Sequence, residues 1–251
     1  MAVGRDTVCY PKKKALDFLY PTFFYFKGEY MLTIDEMLNN NNINDINNVS
    51  LKLYKEFFTD VLCNMIFEYL TIDNESIKIE FKDTQFMHIL GAQHILGDKF
   101  KASKFNEQID NGKMTFEELS KRNQNKFKDD LDRFLGFSNI YYVLTNCDAI
   151  YFDKQIYKKS VIPNRKTSMD FKYILFQNSY SKKLHLGLDT FNKGRNYYVK
   201  SLLVTSELND KYLKNQKPLL ITNIKVIDRR TKEVLHEVKF NKIDITEEQA
   251  I

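Results

Sequence analysis

The sequence lacks most of the short patterns that mark common catalytic sites. It contains no glycine-rich phosphate loop (G-x-G-x-x-G or G-x-x-x-x-G-K-[S/T]), no H-E-x-x-H pattern and no G-x-S-x-G turn. These patterns place backbone amides on a phosphate, two imidazoles on a zinc ion, or a serine on a sharp turn. Their absence argues against a phosphate-loop enzyme, a metalloenzyme and a serine hydrolase. We therefore expect no metal site and no cofactor.

Cysteine is scarce. Cys9, Cys63 and Cys147 are odd in number, far apart and never in a C-x-x-C spacing. This argues against a disulfide framework and against a cysteine-based zinc site. A reducing compartment fits best, so we expect the chain to act in the cytoplasm.

Long hydrophobic runs are also absent. The most apolar N-terminal stretch, Ala15–Phe26, follows Lys12–Lys14, as the core of a secretory signal would. However, Asp17 and Pro21 interrupt it, and no small-residue cleavage site follows. It is too short to span a bilayer. We expect neither a signal peptide nor a membrane partner.

The 251 residues, 43% of them hydrophobic, are enough to bury a substantial core. An Asn-rich stretch at 39–48 predicts a loop or linker, because Asn favours turns over helix interiors. Ser50 is placed to cap a helix whose apolar residues recur three and four apart from Leu51 to Tyr69. We therefore divide the chain into an N-terminal extension (1–48), a helical segment (49–75) and an α+β domain (76–251).

The third segment begins with one short strand, then helices, and ends with strands. Ile77–Phe81 alternates apolar and charged residues, and helices are predicted from Thr115, over Lys126–Phe137 and from Ser138 to Asn146. After residue 149 the apolar period becomes two. The predicted strands are Ala149–Ile156, Phe171–Gln177, Leu184–Thr190, Tyr197–Thr205, Leu219–Asp228 and Val234–Phe240. This order favours an α+β fold in which helices pack on one face of a mostly antiparallel sheet.

Positive charge is concentrated in the strand region. Residues 151–232 contain 18 Lys or Arg against 6 Asp or Glu, whereas the whole chain carries only +5. Aromatic residues are interleaved with these charges, which is typical of surfaces that bind single-stranded RNA. Two plainer explanations stay open: the lysines keep an exposed sheet soluble, and the rings belong to the core.

Histidine is the remaining candidate for acid–base chemistry. His88 has apolar neighbours, and His185 alternates with Leu184 and Leu186, so it projects from the opposite face of its strand. Metal-free RNA cleavage needs a base for the 2′-hydroxyl, an acid for the leaving oxygen and positive charge near the phosphate. Histidine titrates in the right range for both proton transfers. The plainer explanation is a hydrogen-bonded core histidine, which we assign to His94; we expect His236 to be merely exposed.

Several blocks of the sequence resemble a family of phage-associated nuclease domains. Residues 81–91 read F-K-D-T-Q-F-M-H-I-L-G, similar to the F-K-x-x-x-F-x-H-L-L-G opening of one group in the barnase–EndoU–colicin E5/D–RelE-like superfamily. Matching blocks follow in order at residues 112–119, 148–152, 183–188 and 212–218. The resemblance covers residues 76–230 and leaves the first 75 unexplained, either as an accessory domain or as an extra layer on the fold.

The resemblance implies a metal-independent endoribonuclease with a RelE/barnase/EndoU-like fold that cuts RNA on the sheet face opposite the helices. His88 and His185 match its two histidine-bearing blocks, so we predict that they are the catalytic base and acid, in either order. Ser201 falls where such folds place a polar residue against the phosphate. The predicted RNA-contacting residues are Lys166, Lys172, Lys183, Arg195 and Lys200. Simple alternation would put Lys200 and Ser201 on opposite faces.

Three functions stay open on the sequence. The first is a phage or mobile-element ribonuclease that acts as a toxin or defence effector on single-stranded RNA, with an immunity protein as a partner. The second is a non-catalytic phage protein whose basic face inhibits a bacterial defence complex. The third is a structural protein of a phage particle. RNA cleavage, tight binding without turnover, and self-assembly without nucleic-acid affinity distinguish them.

Overall fold

A computed structural model of the chain describes residues 32–39, 45–160, 169–179, 182–191, 196–206 and 210–240. The described residues form an α+β fold around a nine-stranded sheet. Its strands are β1 (Met65–Thr71), β2 (Ser76–Glu80), β3 (Asp148–Tyr151), β4 (Tyr173–Ser179), β5 (Lys182–Phe191), β6 (Asn196–Ser206), β7 (Lys217–Pro218), β8 (Ile221–Asp228) and β9 (Val234–Lys239). Their order across the sheet is β7-β3-β4-β5-β6-β2-β1-β8-β9. The predicted α+β class with a mostly antiparallel sheet is confirmed.

The helices of the described residues are α1 (Ile34–Leu38), α2 (Leu51–Glu56), α3 (Phe86–Leu90), α4 (Ala92–Leu96), α5 (Ala102–Asp110), α6 (Phe116–Arg122), α7 (Gln124–Gly136), α8 (Ile140–Asn146) and α9 (Lys154–Ser160). Helix α7 comes so close to the sheet that a β-carbon on Gly136 would lie 2.8 Å from Leu184 of β5. The main core lies between this helical layer and the sheet.

The second face of the sheet is covered as well, at its β3–β6 end. Leu184, Leu186 and Leu188 point into the main core, as the alternation of β5 predicts. On the other side, Ile174 and Leu203 join a smaller buried cluster with Tyr157 of α9 and Tyr212. The expectation that helices pack on one face only is therefore too simple, because α9 and the turn after residue 210 cover part of the opposite face.

The predicted helix from Ser50 to Tyr69 ends earlier than expected. The Ser50 hydroxyl caps α2 by accepting from the Leu53 amide, and the helical turns continue only to Asn64. Residues 65–71 are strand β1, which pairs with both β2 and β8 in the middle of the sheet. The apolar residues from Met65 onward fit a period of two as well as a helical period, so their spacing alone did not distinguish a strand from a helix.

A second correction concerns the predicted strand Ala149–Ile156. Strand β3 ends at Tyr151, and the Asp153 carboxylate accepts hydrogen bonds from the Gln155 and Ile156 amides at 2.7 and 3.2 Å. This side-chain cap starts helix α9.

One gap in strand pairing positions the candidate site. In the described part of the chain, β2 and β6 pair in parallel at a single position, Ile79 opposite Tyr197. Beyond it, the edge of β6 meets helix α3 instead of a strand. The side chains of α3, and of α7, which also contacts β6, therefore lie close to this strand.

Candidate functional site at the β6 edge

The structure places His185 in the interior. Its side chain is 0% exposed, and its Nε2 lies 3.0 Å from Oδ2 of Asp210. Lys183 Nζ lies 3.3 Å from the same oxygen. Asp210 Oδ1 accepts from the amides of Tyr212 and Leu213, so this buried group fixes the turn that covers β5. Burial opposes ionisation of Asp210, but the hydrogen bonds and charges of His185 and Lys183 outweigh it and lower the Asp210 pKa.

The surroundings of His185 leave no path for RNA in this conformation. The Tyr212 ring packs edge-on against the imidazole at 5.2 Å, and the buried Nδ1 makes no hydrogen bond to the described residues. The Phe171 ring fills the space beside Gly187, where a β-carbon would lie 2.5 Å from it. A catalytic role for His185 stays a prediction, and it requires the Tyr212 turn to move.

A β-bulge changes the expected orientation of Lys200. Gly187 pairs with Ser201, but the next position, Leu188, pairs with Val199, so Lys200 is the extra residue. Its ammonium lies on the face that carries Asp189, where it donates to Oδ2 at 2.7 Å. Lys200 and Ser201 therefore share a face, contrary to simple alternation.

The other predicted RNA contacts are scattered. Lys172 is exposed and donates to the Tyr197 hydroxyl at 3.1 Å. Lys183 is committed to the buried Asp210. Lys166 and Arg195 lie outside the described residues.

His88 lies at the surface, on α3 beside the open edge of β6. Two effects lower the pKa of His88. The larger is partial burial on its inner side, and the positive charges of Arg133 and Lys200, with that of His94, add to it. The neighbouring Gln93 side chain opposes the shift. His88 is therefore neutral over most of the physiological range, the form that accepts a proton.

His94, which we assigned to the core, is exposed and is oriented by a carboxylate. Its side chain is 47% exposed, and Nδ1 lies 3.1 and 3.3 Å from the two carboxylate oxygens of Asp130. Because an ionised carboxylate only accepts hydrogen bonds, this contact assigns a proton to Nδ1, which donates to Asp130. The described hydrogen bonds of the ring all use Nδ1 and none of them uses Nε2.

Arg133 brings a mostly buried positive charge to the same place. Its side chain is 13% exposed, and Nη1 lies 3.5 Å from both Asp130 Oδ1 and His94 Nδ1. Burial lowers the pKa of Arg133 and Asp130 raises it, yet a guanidinium stays protonated in proteins. These long contacts leave donors for an additional anion, and guanidinium matches phosphate geometry well.

Gly91, the last residue of the F-x-H-I-L-G block, makes this arrangement possible. It ends α3 in the left-handed conformation, with φ of +84°. A β-carbon there would lie 2.3 Å from Nη1 of Arg133. The glycine therefore turns the chain between His88 and His94 and leaves room for the guanidinium.

We call His88, His94, Asp130, Arg133 and Lys200 the edge cluster. It supplies two imidazoles and two permanent positive charges around one strand edge. Sequence reasoning found His88 and Lys200 but missed the others. The H-x₅-H spacing around Gly91 was a usable signal for His94, whereas nothing in the sequence of α7 distinguished Asp130 or Arg133 from a solvated helix face.

No contact joins the two histidines predicted to act together. Among the described residues, no hydrogen bond or ring contact links His88 to His185. The same part of the chain holds no group of three His, Cys, Asp or Glu side chains arranged to share a metal ion. None of its helices has the length and apolar character needed to cross a membrane.

Comparison with known protein families identifies the family of the chain. Residues 49–241 match the family described as phage-Barnase-EndoU-ColicinE5/D-RelE like nuclease 4. The chain belongs to this nuclease family. The match includes β1 and α2 as well as the edge cluster. No curated protein and no solved structure gives a significant match.

Proposed function

We propose that this phage-type nuclease is a metal-independent endoribonuclease that cleaves RNA through the 2′-hydroxyl. The observation that carries the proposal is the edge cluster, where two imidazoles lie beside Arg133 and Lys200. Such an enzyme needs a base, an acid and stabilisation of the developing negative charge. The cluster offers a side chain for each of these roles.

His88 takes the role of general base for the 2′-hydroxyl, because its lowered pKa keeps the ring neutral near pH 7. His94 takes the role of acid through Nε2, with Asp130 holding the ring by Nδ1. Arg133 and Lys200 bind the scissile phosphate and stabilise its additional charge in the transition state. The enzyme works as a toxin or defence effector of phage or mobile-element origin in the bacterial cytoplasm.

The test is cleavage of a defined single-stranded RNA in EDTA. Wild-type protein cuts the RNA, and His88→Ala and His94→Ala each lower the rate about 10²–10⁴-fold, as expected for loss of a proton-transfer group. His236→Ala is the matched control, because β9 lies at the far edge of the sheet from β6. Full activity of both His88→Ala and His94→Ala would refute the assignment. A His185→Ala variant tests the original pairing of His88 with His185 in the same assay.

If catalysis requires the predicted pairing of His88 with His185, the burial of His185 favours a second function. If the covered face never opens, a protein with the same basic edge would bind RNA or an acidic defence protein without turnover. This alternative predicts tight, salt-sensitive RNA binding and no cleavage by wild type in the same assay.

A further inference from the structure

A pocket of about 310 Å³ opens beside Lys200 of the edge cluster, where β3 and β5 end and β4 begins. Its wall includes Phe171, Tyr151 and Lys172, with Asp170 and Asp189 at one side. The volume is at the small end of ligand pockets, which suits one base or nucleoside better than a folded RNA element.

The Phe171 ring is held in place on one side. It fills the space above Gly187, where a β-carbon would lie 2.5 Å from it, and its centroid lies 5.5 Å from that of Phe152. A ring fixed in this way and partly exposed in a pocket offers a stacking surface for a base. Stacking alone does not distinguish one base from another.

The carboxylates supply the distinction. Both oxygens of Asp189 are engaged, Oδ2 by Lys200 and Oδ1 by the Thr190 amide. Asp170 is 69% exposed, and the described contact of its carboxylate is Lys154 Nζ at 3.5 Å from Oδ1. A carboxylate only accepts hydrogen bonds, so a base with an exocyclic amino group suits it better than uracil, whose single base donor, N3–H, is flanked by two carbonyl acceptors.

Lys200 connects the pocket to the edge cluster. Its ammonium donates to the Asp170 carbonyl oxygen at 3.0 Å and to Asp189 Oδ2 at 2.7 Å, and its charge also lowers the pKa of His88. Because Lys200 belongs to both places, a base in the pocket and a phosphate at the cluster would be close together along one strand of RNA.

We propose that this pocket is the nucleobase subsite of the enzyme, and that Asp170 makes it prefer adenine, cytosine or guanine over uracil. The inference rests on the proposed ribonuclease function. It adds a substrate preference that the edge cluster alone does not determine.

Chimeric oligonucleotides test the preference. Each is DNA with one ribonucleotide, so that cleavage through a 2′-hydroxyl has a single position. One set varies the base of the ribonucleotide and the other varies the base that follows it. At one of the two positions, wild type cleaves the best amino-bearing base at least about tenfold faster than uracil, the effect of one charged hydrogen bond.

Asp170→Asn lowers that ratio to threefold or less, because an amide both donates and accepts. Asp110→Asn is the matched control, since Asp110 is also an exposed aspartate paired with a lysine, Lys55, and it does not line the pocket. It keeps the wild-type ratio. Unfolding midpoints of both variants confirm that the fold is intact.

Two outcomes overturn the proposal, and they are distinguishable. Equal cleavage of all four bases at both positions, or an unchanged ratio in Asp170→Asn, refutes the pocket assignment while the ribonuclease function stands. No cleavage of any chimera by wild type refutes the proposed function, and the subsite with it.

Discussion

Replacing Gly91 by alanine tests how the edge cluster is built. The residue has φ of +84°, and its new β-carbon would lie 2.3 Å from Nη1 and 2.8 Å from Cδ of Arg133. The left-handed conformation costs an alanine about 1–2 kcal/mol, and forcing the buried arginine aside adds about 1–3 kcal/mol of overpacking. We therefore expect Gly91→Ala to lower the free energy of unfolding by about 2–5 kcal/mol. The unfolding temperature of a chain of this size should fall by about 4–20 °C.

Gly112→Ala separates the two contributions. Gly112 also has a positive φ, +66°, but a β-carbon there meets nothing within 4 Å. Its substitution should cost only the backbone strain, about 1–2 kcal/mol. Urea unfolding of both variants measures the difference, and combining Gly91→Ala with Arg133→Ala should recover the overpacking part.

Cleavage assays complete this test. Displacing the guanidinium should lower RNA cleavage by Gly91→Ala about 10²–10³-fold, the usual effect of losing one charge-stabilising donor, as Arg133→Ala does. Gly112→Ala should cleave at the wild-type rate. If Gly91→Ala and Gly112→Ala are equally stable and equally active, Gly91 does not position Arg133 and the reasoning fails.

Three further changes have definite expected results. Asp210→Asn should lower the free energy of unfolding, measured with urea at pH 7, by about 1–3 kcal/mol. Because the Asp210 pKa is lowered from 3.8, this difference should vanish as the pH falls below that value. A difference that does not change with pH would contradict the ion-pair account. Gly187→Ala should lower the free energy of unfolding by about 1–3 kcal/mol, because the new methyl group overpacks against Phe171. Unchanged urea unfolding would mean that the Phe171 ring moves away from this position without cost. The acidic limb of the pH profile of kcat/KM should have an apparent pKa below 6.5 in wild type. Lys200→Gln should raise this apparent pKa, because it removes a positive charge near His88. An unshifted limb would mean that Lys200 does not influence the protonation of the base.

The strands of the C-terminal half were predictable because each keeps a clear period of two. The predicted strand Leu184–Thr190 lies within β5, and Val234–Phe240 nearly coincides with β9. Residues 65–71 were assigned to a helix because their apolar spacing continued that of α2. Pairing with β2, the next strand along the chain, and with β8, which is far away in sequence, made them a strand.

The candidate site was less predictable than the fold. Composition located positive charge between residues 151 and 232, and the motif resemblance singled out His88. Arg133 reaches this histidine from a helix some 45 positions later, a proximity that no local pattern encodes. His185 was predicted to project away from the leucines of β5, and it does, but the turn around Tyr212 that covers it is also a long-range contact.

The chemistry of the cut ends tests the central claim most directly. A defined RNA is incubated with the full-length protein in EDTA, and the fragments are weighed by mass spectrometry. Cleavage through the 2′-hydroxyl predicts a 2′,3′-cyclic phosphate on the upstream fragment and a free 5′-hydroxyl on the downstream one. Fragments that carry a 3′-hydroxyl and a 5′-phosphate, or intact RNA after prolonged incubation, would contradict it.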